Sequence, residues 1–258
     1  MALGDMRRCL YIIALFVFVI VSCTPDEIGT PFVEGQEVTI TAFVANNASG
    51  VKQMPGKQRV SGKDAGATID LTWNAGDEIL VSVGDKSAVF TLSSGENTSA
   101  GEFTGKMPAD GSEYSVSYPV DYSDDVLTHQ TYVANGFSNG LMKMSTRSNG
   151  TLEDGFVLSA DNAVLGLQLT GNSEIGKIVL SKNDASGQAA SPSYTLLCPK
   201  VTLTETATLF YIVLPVGTWE HGFTVDVYAA DNTTIIDTFV TNKAFTFTAT
   251  NATMMAAK

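Results

Sequence analysis

The sequence is poor in cysteine, histidine and tryptophan, and it has far fewer basic than acidic residues. It contains three cysteines, two histidines and two tryptophans in 258 residues, with 15 Lys and Arg against 27 Asp and Glu. The formal net charge of −12 argues against a surface that attracts nucleic acid phosphates, and no run of basic residues provides a local exception. Such a charge does favour solubility of an exposed protein.

The cysteines are placed so that no disulfide is expected within the folded chain. Cys9 precedes a long apolar run and Cys23 follows it, so only Cys198 belongs to the body of the chain. The fold must therefore depend on burial and hydrogen bonds instead of cross-links. Because Cys198 ends the apolar run 194–198, we expect it to be a small buried hydrophobic residue.

The motifs that usually reveal an enzyme are also missing. The sequence has no His and Cys cluster with zinc-ligand spacing, no Gly-x-Ser-x-Gly turn, no P-loop and no Gly-x-Gly-x-x-Gly. Asp121, Asp124 and Asp125 lack EF-hand spacing and are expected to form a solvated loop. We therefore expect no enzyme activity, no cofactor and no metal site. A secreted hydrolase that uses His129 or His221 is the most distant alternative.

Residues 1–22 have the layout of a secretory signal peptide. Two arginines precede an apolar run over 10–21, which is shorter than the roughly 20 residues of a membrane-spanning helix. The tetrapeptide that ends at Cys23 resembles a bacterial lipobox, in which the cysteine is acylated, as with palmitate, and begins the mature chain. We expect a lipid-anchored protein of the cell outer membrane or surface, with a tether over 23–35. An ordinary secretion signal is the alternative.

Short runs that alternate between apolar and polar residues fill the rest of the chain, and no helical stripe exceeds two turns. This pattern predicts an all-β fold of sandwiches or closed sheets. The predicted strands lie at 37–45, 67–73, 78–83, 86–92, 102–105, 113–118, 156–158, 163–169, 175–180, 194–203, 209–214, 223–228, 233–240 and 243–248, with a short edge strand or a frayed end over 249–258.

Two long stretches, 46–66 and 120–154, are predicted to be irregular. A domain boundary near Leu152 would divide the chain into an N-terminal sandwich over 36–152 and a C-terminal sandwich over 153–258. A loop as long as 46–66 is uncommon inside a compact domain and tends to be functional or disordered. Its basic residues make it the segment most open to a trypsin-like protease.

A pattern in the first half of the chain is similar to that of a known family. The segments Thr72–Ile79, Ser99–Gly105 and Tyr114–Pro119 together match W-x-x-G-D-x-I, F-x-G and Y-x-x-x-Y-P. This arrangement resembles the fimbrillin family, the lipoprotein pilins of Bacteroidetes. Three C-terminal runs, at 209–215, 223–228 and 243–249, resemble the second domain of that family. The resemblance extends over most of residues 36–255.

The resemblance implies two tandem transthyretin-like, Greek-key β-sandwich domains in a pilus subunit that mediates cell adhesion. In the polymerising members a trypsin-like protease cuts after the first strand, and a donor strand from another subunit fills the groove. Here the excised strand would be Glu37–Ala45, and the best site for the cut is Arg59–Val60. Arg59 could instead be one solvated charge in a loop.

The resemblance also implies partners, namely other fimbrial subunits, the outer membrane through the lipid, and a host or bacterial surface ligand. Because the sequence ends at Lys258 with little further strand to donate, a tip, accessory or anchor subunit is favoured over a stalk subunit.

A monomeric carbohydrate-binding surface lipoprotein built from β-sandwiches is the main alternative. Exposed aromatic side chains would provide its contact surface. Trp73, Tyr114 and Tyr118 alternate along predicted strands and are expected in the core. Trp219 and Tyr122 lie in predicted turns and are the candidates for contact with a ligand.

Overall fold

A computed structural model of the protein describes residues 33–45, 61–64, 69–111, 113–138, 140–146, 155–249 and 252–256. Nearly all regular structure in these residues is β-strand, with one short 3-10 turn and no α-helix. The predicted all-β class is therefore confirmed. Within the same residues there is no helix of the length and hydrophobicity that a membrane span requires.

Twenty strands and one 3-10 turn, named η1, make up the described chain. In order they are β1 (Glu37–Val44), β2 (Ser61–Asp64), β3 (Ile69–Thr72), β4 (Glu78–Val83), β5 (Lys86–Ser94), β6 (Ala100–Lys106), β7 (Ser115–Tyr118), η1 (Asp124–Thr128), β8 (His129–Val133), β9 (Gly136–Phe137), β10 (Met144–Thr146), β11 (Phe156–Ala160), β12 (Asn162–Leu169), β13 (Glu174–Asn183), β14 (Ala189–Thr202), β15 (Thr208–Pro215), β16 (Gly217–Trp219), β17 (Phe223–Ala229), β18 (Ile235–Thr241), β19 (Phe245–Phe247) and β20 (Ala252–Ala256).

Seven strands form a sheet that closes on itself, in the order β1-β11-β10-β7-β4-β5-β6 and back to β1. All neighbours are antiparallel except β1 and β11, which run parallel. Alternate residues of each strand point inwards, which follows from the period of two in an extended chain. The interior is filled by large apolar side chains that include Ile79, Phe90, Phe103, Tyr118 and Phe156.

The remaining strands form three further sheets. β15, β12 and β20 make a three-stranded sheet, and β16 pairs with β19. The longest sheet has eight strands in the order β18-β17-β13-β14-β8-β9-β2-β3. The buried apolar residues of the closed sheet and of these sheets belong to one continuous cluster.

The two stretches predicted to be irregular contain regular structure. β2 lies within 46–66, and η1, β8, β9 and β10 lie within 120–154. β8 escapes a search for apolar alternation because the residue that it buries is polar: Gln130 is 1% exposed, between the exposed His129 and Thr131. β9 and β10 have two and three residues, too few to show a period.

The predicted division into two domains stays a prediction, because the boundary at Leu152 lies outside the described residues. Hydrogen bonding crosses that position in both directions. β11, from the second half of the chain, completes the closed sheet beside β1. In return, β8 from the first half pairs in parallel with β14. The closed sheet therefore takes one strand from the second half of the sequence, and the eight-stranded sheet takes four strands from each half.

Candidate functional site

The first strand, β1, is held on both sides within the closed sheet. Its residues Glu37–Phe43 pair antiparallel with Ala100–Lys106 of β6, and Ala42–Val44 pair in parallel with the start of β11. The ladder extends beyond the strand, since Val44 N donates to Ser99 O at 2.8 Å and Ala45 N donates to Leu158 O at 2.8 Å. Removing β1 would therefore leave two strand edges without partners, which are groups that readily bind another strand.

The inward face of β1 alternates as the sequence predicts. Ile40, Ala42 and Val44 are 1%, 0% and 4% exposed, and Val38 is partly buried against the same core. Full burial of a Val or Ile side chain stabilises the folded state by roughly 1.5–3 kcal/mol relative to leaving it exposed, and burial of an Ala side chain contributes less. β1 therefore contributes both apolar area and backbone pairing to the closed sheet.

The outward face of β1 is more open. Thr39 and Thr104 face each other across β1 and β6, with their hydroxyl oxygens 3.0 Å apart. Phe43 and Val157 face each other across β1 and β11 and are 36% and 57% exposed. Gly155 precedes β11 with φ of +74°, and a Cβ at this position would lie 2.7 Å from Thr41 O. A glycine therefore allows β11 to begin close against β1.

The indole of Trp73 lies beside the centre of β1. Trp73 is 0% exposed, and its Nε1 donates a hydrogen bond to Ala42 O at 3.0 Å. Its ring contacts Phe103 and Tyr118 edge to face, at centroid distances of 4.9 Å and 5.5 Å. The tryptophan thus connects the core of the closed sheet directly to the backbone of β1.

The turn that follows Trp73 explains the W-x-x-G-D pattern. Gly76 adopts φ of +80°, which favours glycine. The buried Asp77 accepts a hydrogen bond from Asn74 N at 2.8 Å through Oδ2, and its Oδ1 accepts one from Tyr118 Oη at 3.2 Å. The motif therefore fixes the position of Trp73 through the turn and through β7.

The chain between β1 and β2 connects two different sheets. β1 belongs to the closed sheet, whereas β2 pairs with β3 and β9 in the eight-stranded sheet. The predicted cleavage site Arg59–Val60 lies in this connection, outside the described residues. The predicted lipidation site Cys23 precedes β1 and also lies outside the described residues. Both stay predictions.

The structure places the two candidate contact aromatics differently from each other. Trp219 is 5% exposed and packs on Phe247 at 4.8 Å between ring centroids, within a cluster that includes Tyr194 and Phe223. In contrast to the predicted exposed turn, it ends β16 and offers little surface to a ligand. The cause is pairing of β16 with β19, which a local pattern does not show.

Tyr122 is half-buried and keeps part of its surface in solvent. Its hydroxyl oxygen accepts a hydrogen bond from Asn162 Nδ2 at 3.1 Å, and Lys143 Nζ lies 5.8 Å from the ring centroid. Burial raises the pKa of Tyr122 to about 12. Contact between Tyr122 and a ligand remains a prediction.

The other residues considered for chemistry lie apart from one another. Among the described residues, no three His, Cys, Asp or Glu side chains come close enough to hold a metal ion. His129 is exposed, and its Nδ1 lies 2.9 Å from Thr128 Oγ1. Cys198 is buried as predicted, and burial raises the pKa of its thiol to about 12. The Cys198 thiol donates to Leu196 O at 3.4 Å.

Sequence reasoning did not identify Gly101 and Gln130. Gly101 faces Ala42 across β6 and β1, and Gln130 bonds to the backbone of another sheet. The F-x-G pattern marked Phe103 and Gly105 in the same strand, and it was the only local signal near Gly101.

Comparisons with known proteins add little to this description. No protein-family model matches the chain, and no curated protein matches it significantly. Among solved structures, the chain is similar to the tip fimbrial protein Mfa3 from Porphyromonas gingivalis with a C-terminal truncation. The identity is 14% and the TM-score is 0.35, over 81% of this chain and 80% of that chain. At this level the similarity carries no argument about function.

Proposed function

We propose that the protein is a fimbrillin-like pilus subunit that assembles by strand exchange at the β1 position and contributes to cell adhesion. The observation that carries the proposal is the placement of β1. This strand completes the closed sheet, and the next described strand, β2, pairs in a different sheet. A cut between them separates β1 covalently from the sheet that it completes.

The energetics favour replacement of β1 over a permanent vacancy. Loss of the strand exposes the inward apolar surface of its neighbours and leaves the facing edges of β6 and β11 without partners. A buried backbone group without a partner costs about 1–3 kcal/mol, so several such groups create a strong demand for a new strand. Strand addition in trans provides both the pairing and the apolar side chains.

The rest of the proposal follows from the sequence. The lipobox-like tetrapeptide ending at Cys23 supports export as a lipid-anchored protein of the cell outer membrane. If Arg59–Val60 is cut, the lipid leaves with β1, and if it is not cut, the lipid remains as an anchor. The proposed role is non-enzymatic, and the partners are other fimbrial subunits. Assignment to the tip, the base or the stalk is a separate question that the subunit composition of isolated pili answers.

Limited proteolysis tests the proposal. Treatment with trypsin is expected to create a new N-terminus at Val60 and to produce SDS-resistant ladders on gels. Because trypsin also cuts after lysine, the matched control replaces all four basic residues of the loop (Lys52, Lys57, Arg59 and Lys63) by glutamine, and it should neither be cut there nor form ladders. Cleaved protein that stays monomeric at high concentration with its partner subunits present would contradict the proposal. Glycan binding without oligomers would favour the carbohydrate-binding alternative.

A reversible lock on β1 sharpens this experiment. The double variant Thr39→Cys/Thr104→Cys places thiols at facing positions whose native hydroxyl oxygens are 3.0 Å apart. Its disulfide ties β1 to β6, so trypsin is expected to cut the chain without releasing the strand. Ladders should appear only after a reductant is added. Equal ladder formation in the oxidised and reduced samples would show that β1 is not the exchanged strand.

A further inference from the structure

We infer that Trp73 and Gly101 select the strand that occupies the β1 position, because they admit only a strand with a small residue opposite Gly101. The partner in question is the strand of a second subunit, and to that extent the inference rests on the proposed function. Trp73 and Gly101 already contact β1 within the single chain. The inference can therefore be tested both on the uncleaved chain and on a cleaved chain that binds a new strand.

The space that a side chain on Gly101 would need, on the inner side of the sheet, is already filled by its neighbours. A Cβ on Gly101 would lie 2.7 Å from Leu92 Cδ1, 2.8 Å from Trp73 Cδ1 and 2.9 Å from Phe103 Cε2. These distances are shorter than normal van der Waals contacts. The side chains that fill the core therefore reach as far as the backbone of β6, and Gly101 is required for them to do so.

Ala42 occupies the corresponding position on β1. It is 0% exposed and has Gly101 as its partner on one side and Phe156 as its partner on the other. The row across the three strands is thus glycine, alanine and phenylalanine, with the Trp73 indole against the two small residues. A close-packed interior of this kind does not accept added methylene groups without displacement of its neighbours.

Trp73 also determines the register of the strand. Its Nε1 donates to the carbonyl oxygen of Ala42, a backbone group that any strand presents. A strand displaced by one residue would turn its apolar face outwards. A strand displaced by two residues would keep its faces but place a residue such as Ile40 or Val44 opposite Gly101. The requirement for a small residue opposite Gly101 therefore specifies one register, and the indole of Trp73 then bonds to the carbonyl oxygen of that residue.

The consequence is a sequence rule for the incoming strand. Its inward residues should follow the order medium, small, medium, as Ile40, Ala42 and Val44 do in β1 itself. The outward residues face solvent and are not restricted by the core. A donor strand without a glycine, alanine or serine at the middle inward position is expected to be rejected.

Peptide binding to the trypsin-cleaved protein tests this rule. A fluorescent peptide with the sequence of residues 37–45 is titrated by anisotropy, together with peptides that carry Ala42→Leu, Ala42→Gly or Thr39→Leu. We expect Ala42→Leu to bind at least about tenfold more weakly than the parent peptide, which corresponds to about 1.4 kcal/mol. The Ala42→Gly and Thr39→Leu peptides should bind within about threefold of the parent.

The outcomes separate the inference from the proposed function. Equal binding of the parent and Ala42→Leu peptides would overturn the selection rule and leave strand exchange intact. Failure of all four peptides to bind would count against strand exchange. In that case the rule is decided on the uncleaved chain, where β1 is present from the start.

Disulfide mapping in the uncleaved chain provides that decision. Two double variants are compared. The disulfide of Thr39→Cys/Thr104→Cys forms in the native register, in which these residues face each other, and the disulfide of Thr41→Cys/Thr104→Cys forms when β1 is displaced by two residues. Mass spectrometry quantifies both cross-links. We expect Ala42→Leu or Trp73→Phe to raise the displaced fraction about fivefold or more, a change of about 1 kcal/mol. An unchanged ratio in both variants would overturn the inference.

Discussion

Trp73 shows how one residue can serve the core and a neighbouring strand at the same time. Its ring packs against Phe103 and Tyr118, and its only polar atom bonds to the backbone of β1 at Ala42. The sequence indicated the burial of Trp73 from strand alternation. It did not indicate the partner of the indole N–H, since Ala42 lies 31 residues earlier in the chain.

Trp219 shows the limit of local reasoning at the same scale. A short segment rich in glycine predicted a turn with an exposed ring. Pairing of β16 with β19 brings the rings of Phe245 and Phe247 to this segment, and Trp219 becomes part of their cluster. The exposure of Trp219 depends on a strand that is distant in sequence, so the local pattern could not predict it.

Cys198 permits a prediction about pH. The thiol ionises near 9 when exposed, and burial raises its pKa to about 12 in the folded protein, with a small opposing effect of the backbone at Ile178. The unfolded chain therefore loses this proton at lower pH than the folded chain. The contribution of the Cys198 thiol to the free energy of unfolding is therefore fully present below about pH 9. It falls between about pH 9 and 12, by up to about 1.4 kcal/mol per pH unit.

The variant Cys198→Ala removes this dependence. Urea unfolding of both proteins at several pH values between 8 and 11 should show that the difference in the free energy of unfolding shrinks as the pH rises. Tyrosines with raised pKa values are common to both chains and cancel in the comparison. Parallel curves over the whole range would contradict the burial of the thiol in the folded state.

At the scale of elements, Gln130 connects two sheets. Its Oε1 accepts from Val213 N at 2.9 Å, and its Nε2 donates to Val213 O at 2.7 Å and to Leu127 O at 2.8 Å. The side-chain amide thus pairs with β15 as a neighbouring strand would. β15 has apolar residues on both of its faces, as a strand in the middle of a sheet usually does. It lies instead at the edge of its three-stranded sheet, and Gln130 covers part of that buried edge.

The variant Gln130→Leu is expected to destabilise the protein strongly. It keeps a similar volume but removes three hydrogen bonds and leaves Val213 N–H among apolar groups. We expect the free energy of unfolding to fall by about 3 kcal/mol, since each buried group without a partner costs about 1–3 kcal/mol. The control His129→Leu changes an exposed neighbour and should remain within about 0.5 kcal/mol of the parent in urea unfolding. Equal effects of the two variants would contradict the bridging role.

At the scale of the whole molecule, strands from the two halves of the sequence share sheets. β11 completes the closed sheet beside β1, and β8 lies beside β14 in the eight-stranded sheet. Residues Pro31–Lys258 also form one compact unit. The folded states of the two halves are therefore coupled through backbone pairing as well as side-chain packing.

We expect this coupling to produce a single cooperative unfolding transition. Differential scanning calorimetry should show one peak with a calorimetric enthalpy close to the van't Hoff enthalpy. Gln130→Leu should move the whole peak to lower temperature and should not split it. Two separated peaks in the parent protein would show that the halves unfold independently and that the shared pairing contributes little.

The sequence alone determined most strands and the class of the fold. β4 matches its predicted bounds, and β1, β12 and β17 differ from theirs by a residue, because alternation with a period of two is a local property of an extended chain. It also predicts a cleavage site at Arg59–Val60, and that stays a prediction. These features depend on neighbouring residues only.

Tertiary structure alone decided which strands pair and what each strand contacts. The parallel pairs β1–β11 and β8–β14 join residues that are far apart in sequence, and they have no local signature. The same is true of the crowding at Gly101, where the side chains of Leu92, Trp73 and Phe103 converge from three segments. Pairing and packing depend on contacts across the whole chain, and for that reason the small residue required at the β1 position became visible only in the folded protein.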